Sequence, residues 1–414
     1  MLTTDTDTVH RQIVISADGH TGADLLDYKP YLEKRWHEEF DAWAAAYENP
    51  FSDLVTRDAN RNWDSGLRQK DLESNGIAAE VLFPNTIPPF FARGSLIMNV
   101  PSAEEYDRKW AGLRAHNRWL VDFCNEVPGR RAGVAQILLN NVEDACAEIR
   151  WVKEAGLTGG VLVPGVPPGA CEVPQLSSPT YNPIWRVCAE LDVPINSHGG
   201  GGSPGFSFDA PSDRAVGLLE VTYYSHRTMW HLIYNGAFER HPNLKLVLAE
   251  QGTGWVPRTL ATLDEFYNRF TTPGAIENAI AGDIAEVLQR PPSEYFATNC
   301  YITASSVRPI ELTVRHEMGG ADRIMWGADY PHLEGSFPHT TEALRFAFGG
   351  VSTSEMTRML AEVPAEVYGF DLDALQSVAD EIGPTLLDLA EPLDAIPPDS
   401  TCNTFETRAT IKAW

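Results

Sequence analysis

Short apolar runs recur along the chain, each followed by Gly, Pro, Asn or a polar residue and separated from the next by stretches in which apolar residues return every three or four positions. Eight such runs are expected to be strands: 13–17, 79–83, 133–138, 160–163, 193–197, 244–249, 295–301 and 324–328. Segments such as DACAEIRWVKEAGL and PIWRVCAELDV, each ended by Gly or Asp, are expected to be helices on the outside of the sheet. Eight strands alternating with helices predict an α/β protein, a closed (β/α)8 TIM barrel. An open dinucleotide-binding sheet is disfavoured because no G-x-G-x-x-G follows the first run.

Segments 21–70, 84–115, 199–230 and 264–293 are too long for one βα unit, and the first three follow strand ends directly. They are expected to be helical insertions walling a pocket on the C-terminal face, with Trp36, Trp43, Trp63, Phe90, Phe91, Tyr223 and Tyr224 among their residues. Residues 1–370 are read as one barrel domain. Residues 371–414 are read as a C-terminal helix and tail that packs on the barrel or on a neighbouring subunit.

The polar residues that close the apolar runs carry the chemistry. The first run ends in SADGH, the fifth in INSH, the sixth in VLAE and the eighth in WGADYPH, which places Asp18, His20, His198, Glu250, Asp329 and His332 at the rim of the barrel. Asp18 and His20, two residues apart on an extended chain, point to the same side. Taken singly, Asp18 before Gly19 reads as a turn, His198 before GGGGSPG as a loop residue beside a tight bend, and Asp329 as a helix cap. Ionisable groups at corresponding strand ends of one barrel converge over its axis, which favours a site for one divalent metal. Two imidazoles and two carboxylates suit zinc first, and also manganese, iron or cobalt. The remaining histidines lack this placement and are read as structural, with His226 in TYYSHR the one further candidate for the pocket.

Composition narrows the partners. With 43% hydrophobic and 21% charged residues in 414, the chain has material for a large core. A formal net charge of −25 repels nucleic acid and anionic membrane, leaving a small molecule as the expected partner. The six cysteines are scattered and read as reduced. Without a basic, apolar leader or a run of about 18 apolar residues, the protein is expected to be cytoplasmic.

The motifs DGH, INSH, GAFERHPNLKLVLAEQGTG, RPPSEYFATN and DRIMWGADYPH together resemble the amidohydrolase superfamily. The similarity is to its amidohydrolase-related (amidohydrolase 2) branch, which includes aminocarboxymuconate-semialdehyde, resorcylate and carboxyvanillate decarboxylases. The resemblance implies that Asp18, His20, His198 and Asp329 hold one divalent metal, that the protein is an enzyme, and that it forms a homodimer or larger homo-oligomer. Two departures stand out: Asp18 occupies a position where the family usually has His or Glu, and Glu250 in LAEQG replaces the usual histidine of LAHGG.

The extra negative charge at Glu250 disfavours a carboxylate substrate, so the leading expectation is hydrolysis of a small cyclic or aromatic amide, ester or lactone by metal-activated water. Asp329 or Glu250 would then move the proton, with His332 orienting the substrate. The alternative is non-oxidative decarboxylation of an aromatic or enoic acid at the same residues. A third reading is a metal-free barrel that only binds. Substrate contacts are expected from Arg61, Trp63, Asn85 and Trp255, with Arg57 an equal candidate to Arg61 for the family's substrate arginine.

Overall fold

A computed structural model describes residues 11–49, 58–91, 100–205, 209–391 and 393–405. Its strands are β1 (Ile15–Thr21), β2 (Ala79–Pro84), β3 (Arg131–Gly133), β4 (Ala135–Gln136), β5 (Val161–Leu162), β6 (Ile195–His198), β7 (Leu246–Ala249), β8 (Cys300–Ser305) and β9 (Ile324–Gly327). They pair in the order β1-β2-β3 and β4-β5-β6-β7-β8-β9, all in parallel.

β3 and β4 are two halves of one strand. Val134 between them donates to Leu82 on one side, and Ala135 donates to Gly160 on the other. At the far edge Asp329 N–H donates to Asp18 O and His20 N–H to Tyr330 O, linking the end of β9 to β1. The eight strands therefore surround one axis, as in a (β/α)8 barrel.

Ala17, Val81, Phe83, Ala132, Val134, Val247, Ala249 and Met325 fill the barrel interior. Val363, Val367 and Tyr368 from the Val363–Tyr368 helix join them, and Tyr368 Oη donates to Asn196 Oδ1 inside the barrel at 2.9 Å. With that end plugged by apolar side chains, the opposite mouth is left for chemistry. The larger core lies between sheet and helices, where Ile149 and Val152 of Val142–Glu154 and Ile184, Trp185 and Val187 of Asn182–Leu191 are buried. The Leu372–Ile382 helix packs Leu375 and Ala379 against Ile13, Ile15, Ala78 and Ala79. Among the described residues no helix is long and apolar enough to cross a membrane.

Two strand expectations need correction. Residues 292–299 are helical, and the strand begins at Cys300: Pro292 in the first turn starts a helix, and the Tyr295 and Phe296 rings that suggested a strand are buried on it. The 133–138 run holds only the short β4 after Gly133, because the chain there changes pairing partner. β1 also runs further than expected, to Thr21, so Asp18 and His20 lie within it.

Candidate metal and proton-transfer site

The register of β1 against β2 shifts between Ser16 and Gly19. Such a bulge re-aims side chains, and here Asp18 reaches the barrel mouth although Ala17 before it already faces the interior. Asp18 also needs a glycine opposite: a Cβ on Gly327 would lie 2.5 Å from Asp18 Cβ.

Around Asp18 the expected rim residues converge. His20 Nε2 lies 3.5 Å from Asp18 Oδ1 and 3.2 Å from Asp329 Oδ1, and His198 Nε2 lies 3.6 Å from Asp18 Oδ1. His198 Nδ1 is 3.4 Å from Glu250 Oε2. The His20 ring stacks on His332 at 4.1 Å between centroids and meets His198 edge-on at 5.0 Å, while Phe83 packs under His198 at 4.9 Å. Donor atoms of Asp18, His20 and His198 fall within 4.8 Å of one another; so do those of His20, Asp329 and His332, and those of Glu250, Asp329 and Glu334.

Asp18 Oδ1, His20 Nε2 and His198 Nε2 are buried without a hydrogen-bond partner. Leaving such groups unsatisfied costs about 1–3 kcal/mol each. Three of them directed at one point form a donor set that a divalent cation satisfies. Ser305 Oγ donates to the other Asp18 oxygen and fixes the carboxylate's orientation.

Beside this set sits a proton-holding pair. His332 Nδ1 meets Asp329 Oδ1 at 2.8 Å and His332 Nε2 meets Asn85 Oδ1 at 3.2 Å. Asn85 Nδ2 donates to Asn62 Oδ1, and Asn62 Nδ2 donates to Ala59 O. That chain leaves Asn85 Oδ1 as an acceptor, so His332 carries its proton on Nε2, and in its charged form donates to Asp329 as well.

Burial works to lower His332, but Asp329 overrides it and raises the imidazole to about 10. Burial works to raise Asp329, yet the charge of His332 and the close approach of His20 hold it well below the usual carboxylate range. His20 is lowered, by burial and then by His332. Burial pulls His198 down, but Asp18 and Glu250 lift it to about 9. Glu250 is raised by burial and by Asp329, although 35% of its side-chain surface remains open to water at the mouth.

Backbone strain concentrates here too. Glu250 (φ 53°), Ser306 (φ 50°) and Asp329 (φ 58°), which follow β7, β8 and β9, adopt left-handed conformations that cost on the order of 1–3 kcal/mol each in non-glycine residues.

Of the expected substrate contacts, Asn85 joins the site through His332. Arg61 is turned to Asp71 (Nε to Oδ2 3.0 Å) and lies over the Phe337 ring, and Trp63 packs on the main core. Trp255 stacks on His226 at 3.7 Å and donates to Gln251 O. Arg57 lies outside the described residues. Ser305, Asn62 and Glu334 were missed by sequence reasoning. Ser305 closes the observed β8, four residues past the end expected for the seventh run, and Glu334 lies two residues past His332; Asn62 gives no strand-end signal.

The chain is similar in sequence and in fold to several known proteins. The gamma-resorcylate decarboxylase of Rhodococcus jostii (strain RHA1) is 26% identical over 313 residues, covering 72% of this chain and 87% of that protein. The 2-amino-3-carboxymuconate-6-semialdehyde decarboxylase of Dictyostelium discoideum is 24% identical over 277 residues, covering 65% and 67%. The fold is shared with a 5-carboxyvanillate decarboxylase from Novosphingobium aromaticivorans solved with manganese and 4-hydroxy-3-methoxy-5-nitrobenzoic acid: TM-score 0.63, 18% identity, 89% of this chain and 98% of that one. The profile of the amidohydrolase family matches residues 62–370, most of the length, and the chain belongs to that family as an enzyme of the amidohydrolase superfamily.

Proposed function

We propose that the protein is a metal-dependent, non-oxidative decarboxylase of an aromatic acid. The similarity to gamma-resorcylate decarboxylases over 87% of the length of one of them carries this reading, which displaces the expectation of hydrolysis. The orphaned donors of Asp18, His20 and His198, with Asp329 opposite, fit one divalent ion and favour an enzyme over a barrel that only binds. Manganese, with which the Novosphingobium 5-carboxyvanillate decarboxylase was solved, is the first ion to test, ahead of zinc. When bound, the ion would anchor the substrate's carboxylate and adjacent oxygen and offset the negative charge of Asp18, Glu250 and Asp329.

The chain's own residues handle the proton. The charged His332 passes its Nδ1 proton to Asp329, which relays it to the ring carbon that bears the carboxylate. The bond from that carbon to the carboxylate then breaks, CO2 leaves, and the electron pair returns to the ring. His332 is held for this transfer between Asp329 and Asn85. Phe83, buried in the barrel interior, backs the His198 ring from below and fixes its position.

The test is to load the protein with Mn2+ or Zn2+ and offer hydroxylated benzoic acids, lactones and amides in D2O and in 18O-water. The expected result is CO2 release with deuterium on the carbon that lost it. Oxygen-18 in an organic product without CO2 would return the enzyme to hydrolysis.

A further inference from the structure

Residues 399–405 lie well beyond the family match, which ends at residue 370. From the Leu372–Ile382 helix near the plugged end, the chain passes through the short Leu386–Ala390 helix, which packs on Thr340–Ala347, and returns to the barrel mouth. There Asp399 pairs with His339 at 3.1 Å. Thr401 Oγ1 donates to Leu333 O, and Asn403 N–H donates to Glu334 O at 3.1 Å. Cys402, Thr404 and Phe405 are buried, and the Phe405 ring meets Phe346 edge-on at 5.5 Å.

The clamped segment is the one that carries His332 and Glu334. From the barrel side, Ser306 Oγ donates to the same Glu334 O at 3.0 Å, and Ser336 N–H donates to Ala328 O at 2.8 Å. Two consecutive carbonyls, those of Leu333 and Glu334, are thus tied down from outside. The loop is otherwise short and lies at a strand end, where local opening is easiest. Fixing the 333–334 backbone fixes where His332 meets Asp329 and where the Glu334 carboxylate approaches Glu250 and Asp329.

We propose that residues Asp399–Phe405 form a brace on the catalytic mouth, in which Asn403 and Phe405 are positioning residues for His332 and Glu334. The placement is independent of the reaction assigned above; only the choice of assay rests on that reading.

The test uses the full chain. Asn403→Pro deletes the N–H that reaches Glu334, at the first position of a short helical turn where proline is tolerated; Asn403→Ala keeps it. Phe405→Ala loosens the anchor, and Phe405→Leu refills it. With metal content matched, Asn403→Pro and Phe405→Ala are expected to lower kcat about tenfold with KM unchanged, since small misplacements of catalytic groups are costly. The two conservative variants should stay within about twofold of the unmodified enzyme on the same argument.

Hydrogen exchange of the Leu333–Ser336 amides, measured without substrate, should quicken only in the first pair. Unchanged exchange in both of those variants overturns the brace, as does a kcat loss that merely follows lost metal or lost fold. An unmodified enzyme that decarboxylates no aromatic acid sinks the reaction reading, while the exchange measurement still decides the brace.

Discussion

Two buried clusters of charge share the β1–β2 region and differ in one respect. In the first, Arg68 and Glu80 form a bidentate pair at 2.8 and 2.6 Å, Arg68 Nη1 donates to His20 O, and its guanidinium lies over the Tyr330 ring. Arg131 Nη1 donates to Ser65 Oγ and Phe123 O and Nη2 to Ser65 O, which leaves only its Nε, 3.6 Å from Glu80, without a hydrogen bond. In the second, Asp18, His20 and His198 keep atoms unpartnered on the side where they face one another. A buried charge cluster that satisfies itself holds the fold, whereas one that leaves converging donors open awaits a ligand. The two are joined at the His20 carbonyl, so the closed cluster also orients a residue of the open one.

The largest effect should come from the open cluster. Asp329→Asn keeps the shape of the residue but removes the carboxylate that faces both His20 and His332, and turnover is expected to fall about a thousandfold. Circular dichroism should show the fold intact. Near-normal kcat in this variant would remove Asp329 from the mechanism.

The closed cluster should respond in stability instead of turnover. Arg68→Met strips buried Glu80 of its bidentate partner and leaves it only Arg131 Nε at 3.6 Å, and a loss of about 3–5 kcal/mol in urea unfolding is expected. Added metal sharpens the contrast. At about a hundred times its dissociation constant it should stabilise the unmodified chain by about 2.7 kcal/mol, and that gain should vanish in His198→Ala while persisting in Arg68→Met. If His198→Ala retained the gain, the ion would not be where the open donors converge.

The same contrast explains what could be read in advance. The open cluster was legible because its members end apolar runs: Asp18, His20, His198, Glu250 and Asp329 obey one positional rule, and the barrel turns that rule into proximity. The closed cluster was not. Arg68 lies on the Ser65–Ser74 helix and Glu80 within β2, and nothing in their spacing distinguishes them from surface charges. Strand placement failed where propensity and pairing disagreed, as at Tyr295 and Phe296, whose aromatic rings suggested a strand although Pro292 had begun a helix. The brace could not be read either, because its key contact is the Asn403 main-chain N–H, which carries no residue identity.

Proton linkage gives a smaller effect with a definite sign. Without metal, Asp18 and Glu250 outweigh burial and raise His198 to about 9, so the folded chain holds that proton more tightly than the unfolded one does. The resulting stability is fully present below about pH 6.5, the ordinary histidine value, and disappears as pH rises through about 9. A metal must displace the same proton, whereas His20, lowered by burial, has none to give at neutral pH. Near pH 7.5 each ion should therefore release about one proton from His198, and apparent affinity should climb about tenfold per pH unit until it levels off. Calorimetry in two buffers of different ionisation enthalpy reads this directly, and binding without proton release would contradict the assignment of His198.

The smallest effect separates the site from its surroundings. Arg61 was an attractive partner for a substrate carboxylate, but its guanidinium is bound to Asp71 and lies over Phe337, while Asp71 also accepts from Tyr330 Oη at 2.8 Å. It belongs with the supporting ion pairs, and a partly exposed pair of this kind contributes only about 0.2–1 kcal/mol. Arg61→Ala is accordingly expected to shift the urea midpoint slightly and to leave KM for an aromatic acid unchanged. A tenfold rise in KM with kcat preserved would show that Arg61 leaves Asp71 when substrate binds, and would move it from the supporting network into the pocket.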